Sequence, residues 1–380
     1  MKKFFKKTTF AVFITLSLMV CLIANPNPAP LLTSANSCSA KGMAVLDADS
    51  GRVLYNRNMN ERLKMASTTK IVTALTVLKN CKDLDEKFEI DDEAVGVEGT
   101  SIYLKSGEIL SSRELLYGLM LRSGNDASVA LAIHCAGTLE KFAEMMNATA
   151  TECGAKNSHF VNPHGLDTDG HYTTAYDLAL ITSKALQNPT FAEIVSTKNI
   201  KISDGETNIR YLTNKNRLLN SLDGCIGVKT GFTKGAGRCL VSAAKRDGMT
   251  IVCVVLNCGP MFEESAQLLN SAFKEYENSE ILKPYNFVCS ISVENGEKNK
   301  VRVYNPQGYK YPLTKEEKAN VSVDYDLPNA ITAPIKAETK VGTARVYLKD
   351  ELLFETDVLT MENVNSDAII DKIKDIVDKF

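Results

Sequence analysis

From Met43 the chain sets two apolar runs around a polar break: Ala44-Val45-Leu46, then Asp47-Ala48-Asp49-Ser50-Gly51, then Arg52-Val53-Leu54-Tyr55. Runs of strand length flanking an Asp/Ser/Gly turn predict an antiparallel hairpin. Met65 to Leu78 is apolar almost all round, with Ala66, Ile71, Val72, Ala74, Leu75, Val77 and Leu78. A helix with no polar face belongs in the centre of a domain, so the polar residues it carries need a reason. Helical periodicity returns from Ser112 to Leu121, Asn125 to Ala136, Thr138 to Cys153 and Thr174 to Leu186. Arg122-Ser123-Gly124 breaks the first pair, while Gly154 and Asn188-Pro189 end the other two. After Ser221 the period becomes strand-like over Cys225 to Lys229, Arg238 to Lys245 and Met249 to Leu256, the last two joined through Asp247-Gly248. A helix from Phe262 to Tyr276 follows. Strands, then helices, then strands predict an α/β sandwich whose antiparallel sheet carries an inserted helical subdomain, with a cleft between them.

Pro284 marks a boundary, beyond which short alternating strands such as Val301 to Tyr304, Val321 to Tyr325 and Ala344 to Leu348 predict a small all-β domain. The last stretch puts Ile369, Ile370, Ile373, Ile376, Val377 and Phe380 on one face of an amphipathic helix. At the other end Lys2, Lys3, Lys6 and Lys7 precede the apolar stretch Phe10 to Ala24, which has signal-peptide length rather than spanning length. Export is expected, with cleavage between residues 24 and 37. The lipoprotein reading of Leu18 to Cys21 is disfavoured because Val20, not a small residue, precedes the cysteine. The expected partition is a leader over 1–35, a main domain over 38–280, a β domain over 285–362 and a terminal helix over 366–380.

Composition narrows the function. Of the 44 basic residues four lie in the leader, leaving 40 against 46 acidic ones, so nothing attracts nucleic acid. The 44% apolar content suits a folded soluble chain of 380 residues. The ten cysteines are scattered through apolar segments with no C-x-x-C pair, and most read as buried thiols. Cys253 and Cys258, five apart in one strand-like run, are expected on opposite faces. None of His134, His159, His164 and His171 has helical metal-ligand spacing, so neither metal nor cofactor is expected.

The polar residues of the buried helix are the chemical signal. Ser67 and Lys70 stand at i,i+3, which puts a hydroxyl and an amine on one face roughly 5 Å apart. A lysine becomes a base for serine only if burial and nearby cations keep it partly neutral, and a buried helix meets that need. Ser123-Gly124-Asn125 sits in an inter-helix turn, where a hydroxyl can relay a proton and an amide can bind a peptide carbonyl; a simple helix cap by Asn125 or Asp126 explains it equally. Lys229-Thr230-Gly231 ends a strand, where an edge can pair with an extended substrate and a glycine leaves room for its backbone.

S-x-x-K, S-x-N and K-T-G in this order form the signature of penicillin-recognising serine enzymes. Met65 to Leu75, Ser123 to Ala127, Asn162-Pro163-His164-Gly165-Leu166 and Lys229-Thr230-Gly231-Phe232-Thr233 resemble the low-molecular-mass D-alanyl-D-alanine carboxypeptidases, and the resemblance covers about 40–276, with the β domain and terminal helix matching the family's usual appendages. It implies that Ser67 attacks the carbonyl between the last two D-alanines of a peptidoglycan stem pentapeptide, that Lys70 is the base, and that Ser123 relays the proton to the leaving amine. It implies too that Asn125 binds the substrate backbone, that Lys229, Thr230, Gly231 and Thr233 hold the terminal carboxylate, and that the N–H groups of Ser67 and Phe232 form the oxyanion hole. β-Lactams would acylate the same serine. In several relatives an arginine from the helix after the last strands binds the carboxylate, whereas Gly259 to Glu264 here contains none. His164 is expected to shape the fold rather than to react.

A serine β-lactamase shares the three motifs but usually needs a deacylating glutamate in an E-x-x-L-N segment, absent between Ser123 and Lys229. A silent wall-binding protein of the same fold is opposed by the intact Ser67, Lys70, Ser123 and Lys229, and an endopeptidase would use the same residues. The resemblance implies that 366–380 lies on the outer face of the cytoplasmic membrane, although Asp367, Asp371, Asp375 and Asp378 outnumber Lys372, Lys374 and Lys379; docking on the protein is the competing reading.

Overall fold

An inner strand of the main sheet is apolar on both sides, because each side meets its own helical layer. In this computed structural model, which describes residues 38–205 and 208–367, β1 (Gly42–Asp47) is buried along its whole length. Its alternate residues divide: Ala44 and Leu46 join the core shared with the helical subdomain, Met43 and Val45 a second core on the opposite face. The hairpin partner is β2 (Val53–Arg57).

The helical subdomain begins with α1 (Lys70–Asn80), preceded by one 3-10 turn over Ala66–Thr69. From Lys70 to Val77 every residue of α1 is buried, as expected of a helix with no polar face. A small pair, β3 (Lys87–Glu89) and β4 (Ile109–Ser111), leads into α2 (Ser112–Tyr117), whose start carries a capping box of Ser111 and Glu114. The expected helix to Leu121 stops earlier as an α-helix: Gly118–Arg122 is a wider π turn that ends with Ser123 left-handed at φ 65°. Then come α3 (Asn125–Ala136), α4 (Leu139–Glu152), α5 (Ala175–Leu186) and α6 (Pro189–Ser196). A surface hairpin of β5 (Asn199–Ser203) and β6 (Ile209–Thr213) and the single turn α7 (Leu218–Ser221) complete the insertion.

The chain then returns to the sheet with β7 (Cys225–Thr233), β8 (Gly237–Arg246) and β9 (Met249–Leu256), giving the order β2-β1-β9-β8-β7. The pairing is antiparallel, with Val45 opposite Cys253 and Lys229 opposite Val241, so β7 is an edge strand. Asp247 and Gly248, both at positive φ, make the tight turn between β8 and β9. The helix α8 (Met261–Glu275) covers the face away from the subdomain. Cys253 and Cys258 were expected on opposite faces, but β9 ends at Leu256 and Asn257 turns at φ 51°, so both sulfurs enter the same core.

Beyond Tyr276 the strand Glu277–Leu282 pairs with Tyr309–Leu313, and six further strands form one sheet. Its core is one-sided, built from Ile291, Val293, Val301, Val303, Ala344 and Val358, as the alternating pattern requires. Arg52 ties the two sheets' modules together: its guanidinium meets the Pro312 carbonyl and the Glu317 carboxylate and lies 5.2 Å from the Tyr276 ring and 5.0 Å from that of Tyr311. The leader and the amphipathic helix fall outside the described residues, apart from 366–367.

Candidate active site

Where α1 begins, the turn that carries Ser67 is held from several sides. Thr69 Oγ1 donates to the Ala66 carbonyl at 2.8 Å and lies 2.9 Å from His171 Nε2. Because His171 Nδ1 accepts the Val161 N–H at 3.0 Å, a neutral ring carries its proton on Nε2 and donates it to Thr69. Burial, first of all, pushes His171 down to about 4, so that tautomer persists at neutral pH. Against this turn packs the loop Asn162–Leu166, fastened by Asn162 Oδ1 on the Gly165 N–H at 2.7 Å and by Asn162 Nδ2 on the Leu166 carbonyl at 3.0 Å. Gly165 has φ +88°, and a methyl group there would stand 2.1 Å from the Ala66 oxygen. Gly165→Ala is therefore expected to displace the Ser67 turn, destabilising the protein by about 2–4 kcal/mol and slowing penicillin acylation at least tenfold. Calorimetry and acylation kinetics at wild-type values would refute this.

Lys70 is wholly buried. Its Nζ lies 2.7 Å from Asn125 Oδ1, 2.6 Å from the His164 carbonyl oxygen and 3.1 Å from Ser67 Oγ. Burial, then the charges of Lys229 and Lys215, hold its pKa well below the ordinary lysine value. The positive end of α1 acts in the same direction. As the bonds stand, Nζ donates to all three oxygens and Ser67 Oγ donates to the His164 carbonyl at 3.4 Å; an amine that loses one proton can keep its two remaining N–H donors on the carbonyl oxygens and turn its lone pair to the Ser67 hydroxyl. His164 thus serves Lys70 through its main chain, while burial drives its ring down to about 4.

The remaining motif residues converge from other elements. The π turn delivers Ser123, buried, to the cleft beside Ser67. Asn125 is not a cap: its amide bridges Lys70 and, through Nδ2, the Glu98 carbonyl at 2.6 Å. Asp126 instead fixes the neighbouring loop, accepting the N–H groups of Ile102 and Leu104, both at 3.1 Å. Lys229 is buried, donates to the Thr230 carbonyl at 2.9 Å, and is lowered to about 7 by burial and then by Lys215. Gly231 brings edge strand β7 against the Ser67 turn: a Cβ there would lie 3.0 Å from the nitrogens of both Ser67 and Thr68. Thr230 and the exposed Phe232 line the cleft. Thr233 has partners of its own within the fold. Its hydroxyl donates to Asp167 at 3.0 Å and accepts the Ala236 N–H at 2.9 Å, closing the β7–β8 turn.

The cleft, of about 620 Å³, also contains cations that the motifs did not indicate. Arg122, Lys215 and Arg217 line it with no acidic residue beside them, and among the described residues none of the three has an ion pair. The Arg217 guanidinium lies 5.4 Å from the ring centre of Phe262, which belongs to the arginine-free segment Gly259 to Glu264. The available signal was the alternation Asn214-Lys215-Asn216-Arg217 just before the sheet resumes.

Residues 30–259 match the family described as D-alanyl-D-alanine carboxypeptidase, and residues 276–366 match the penicillin-binding protein 5 C-terminal domain. The D-alanyl-D-alanine carboxypeptidase DacF of Bacillus subtilis is 33% identical over 350 residues, covering 90% of each chain. DacC of Escherichia coli, a carboxypeptidase of the same description, is 32% identical over 360 residues, covering 90% of this chain and 88% of that one. Penicillin binding protein 5 from Haemophilus influenzae has a similar solved structure, with a TM-score of 0.73 and 27% identity, covering 87% of this chain and 98% of that one. Sequence, fold and family match agree on an enzyme of cell-wall peptides acting outside the cytoplasm, and the chain belongs to the D-alanyl-D-alanine carboxypeptidases.

Proposed function

We propose that Ser67 is the nucleophile of this carboxypeptidase and Lys70 its base, a reading supported above all by the 3.1 Å approach of a buried, deprotonation-prone amine to Ser67 Oγ. An extended peptide ending in D-Ala-D-Ala pairs with the open edge of β7. Ser67 Oγ attacks the penultimate carbonyl while Lys70 takes its proton, and the oxyanion forms between the N–H groups of Ser67 and Phe232. The close approach of Gly231 to Ser67 N supports that pairing of donors. Ser123 hands the proton to the leaving amine, D-alanine departs, and water activated by the regenerated amine hydrolyses the acyl-enzyme. Asn125 keeps Lys70 in place and meets the substrate backbone. β-Lactams acylate the same serine. The leader supports export, and the apolar face of 366–380 supports attachment to the outer face of the membrane.

For the terminal carboxylate, Thr230 and Gly231 form one wall with the buried Lys229 ammonium behind it, and Arg217, steadied on Phe262, supplies the guanidinium that α8 lacks. The wild-type protein is expected to release D-alanine from a peptide ending in free D-Ala-D-Ala and to cleave the C-terminal amide of that peptide poorly. Arg217→Gln should reduce kcat/KM roughly 10–100-fold for the free acid and hardly at all for the amide. Equal losses on both would remove Arg217 from carboxylate recognition, while absence of D-alanine release by the wild type would remove the carboxypeptidase reading itself.

A further inference from the structure

The two helices that carry Lys70 and Asn125 at their N-terminal ends also carry a cysteine each at their C-terminal ends. Cys81 is the C-cap of α1, its N–H on the Val77 carbonyl, and Cys135 stands in the last turn of α3. The helices pack side by side, and the two Sγ atoms lie 2.9 Å apart. Heavy atoms that are not bonded settle roughly 3.5–4.0 Å apart, so this separation is closer than two independent thiols adopt. The backbones therefore hold these side chains face to face. We propose that Cys81 and Cys135 form a disulfide in the mature protein, joining the ends of α1 and α3 remote from the reacting serine.

The chemistry requires an external oxidant, for which a low-molecular-mass disulfide outside the cytoplasm suffices. The Cys81 thiolate attacks one sulfur of that disulfide and expels the first small thiol. The Cys135 thiolate then attacks Cys81 Sγ in the mixed disulfide, expelling the second; two protein thiols are oxidised, one external disulfide is reduced, and both protons pass to the released thiols. Cys81 is suited to the first step: it is half-exposed, and its hydrogen bond with Cys135 lowers it to about 7. Cys135 is raised by the same contact, so it waits as the resolving thiol. A link here spans the whole segment from α1 to α3, the part of the chain containing Ser123, and restricts its unfolded forms. It also keeps the two helices from splaying, which preserves the 2.7 Å contact of Lys70 with Asn125 at the other end.

For these two half-exposed cysteines the inference departs from the buried-thiol expectation, and it is independent of which peptide the enzyme cleaves. The full mature chain, oxidised with glutathione disulfide, denatured in iodoacetamide and digested without reductant, should yield one cross-linked peptide pair containing Cys81 and Cys135. Oxidation should raise the melting temperature by roughly 5–10 °C over the reduced protein, a rise smaller in Cys81→Ser, which keeps its penicillin acylation. Recovery of both cysteines alkylated, or of either one linked to another partner such as Cys38 or Cys258, would overturn the proposal.

Discussion

Ser67→Ala is expected to abolish both penicillin labelling and D-alanine release, with kcat falling at least roughly 10⁴-fold while the protein stays folded. The substitution removes one oxygen from a half-buried position and leaves the other two contacts of Lys70, to Asn125 and His164, intact. Stability should therefore stay within about 1 kcal/mol of wild type. Intact-mass analysis after incubation with penicillin is the direct measurement, beside an assay of free D-alanine. The wild type should keep a single long-lived adduct and the variant none. Labelling retained by the variant would place the nucleophile elsewhere, and fast loss of the wild-type adduct would indicate β-lactamase turnover.

Lys70→Ala should be nearly as severe, with a loss of roughly 10³–10⁴-fold in acylation, because no other base stands within reach of Ser67 Oγ among the described residues. The pH profile of kcat/KM tests the same assignment more finely. As pH falls through the depressed pKa of Lys70, the amine gains a proton and can no longer accept one from serine, so activity declines on the acid side. As pH rises past about 7, Lys229 loses the charge that attracts the substrate carboxylate, and activity declines again. The charge of Lys229 is also one of the influences keeping Lys70 neutral. Lys229→Gln should thus erase the alkaline limb and move the acid limb to higher pH, since Lys70 becomes easier to protonate. A profile that is flat between pH 5 and 9, or unmoved in Lys229→Gln, would contradict the coupled pair.

What could be read from the sequence follows the range of the interactions involved. Ser67 and Lys70 were legible because i,i+3 spacing is local, and β9 because an apolar run bounded by Asp-Gly can fold in few other ways. The β5–β6 hairpin was not, since Ile209 and Tyr211 face solvent and blur the alternation. Helix α2 looked longer than it is because Gly118–Arg122 keeps helical spacing while widening to the π turn that aims Ser123. The fine placement of the site was beyond reach for a different reason. The His164 carbonyl under Lys70, the His171 bond to Thr69 and the stacking of Arg217 on Phe262 each join segments far apart in the chain. Their partners are chosen by packing, which no local pattern encodes. Thr233 shows the limit beside a motif: it stands two residues past the K-T-G run, yet Asp167 claims its hydroxyl.

The unpaired cations of the cleft have a kinetic meaning as well as a static one. Without the four leader lysines the chain has 40 basic against 46 acidic residues, so its far field is repulsive to acidic cell-wall polymers. Arg122, Lys215 and Arg217 reverse that sign at the mouth of one groove. Mobile ions in the wall screen such a field beyond roughly 8–10 Å, so it neither gathers polymer from a distance nor binds the enzyme to it. It acts on the last approach, turning a short peptide that has already arrived so that its charged end enters first.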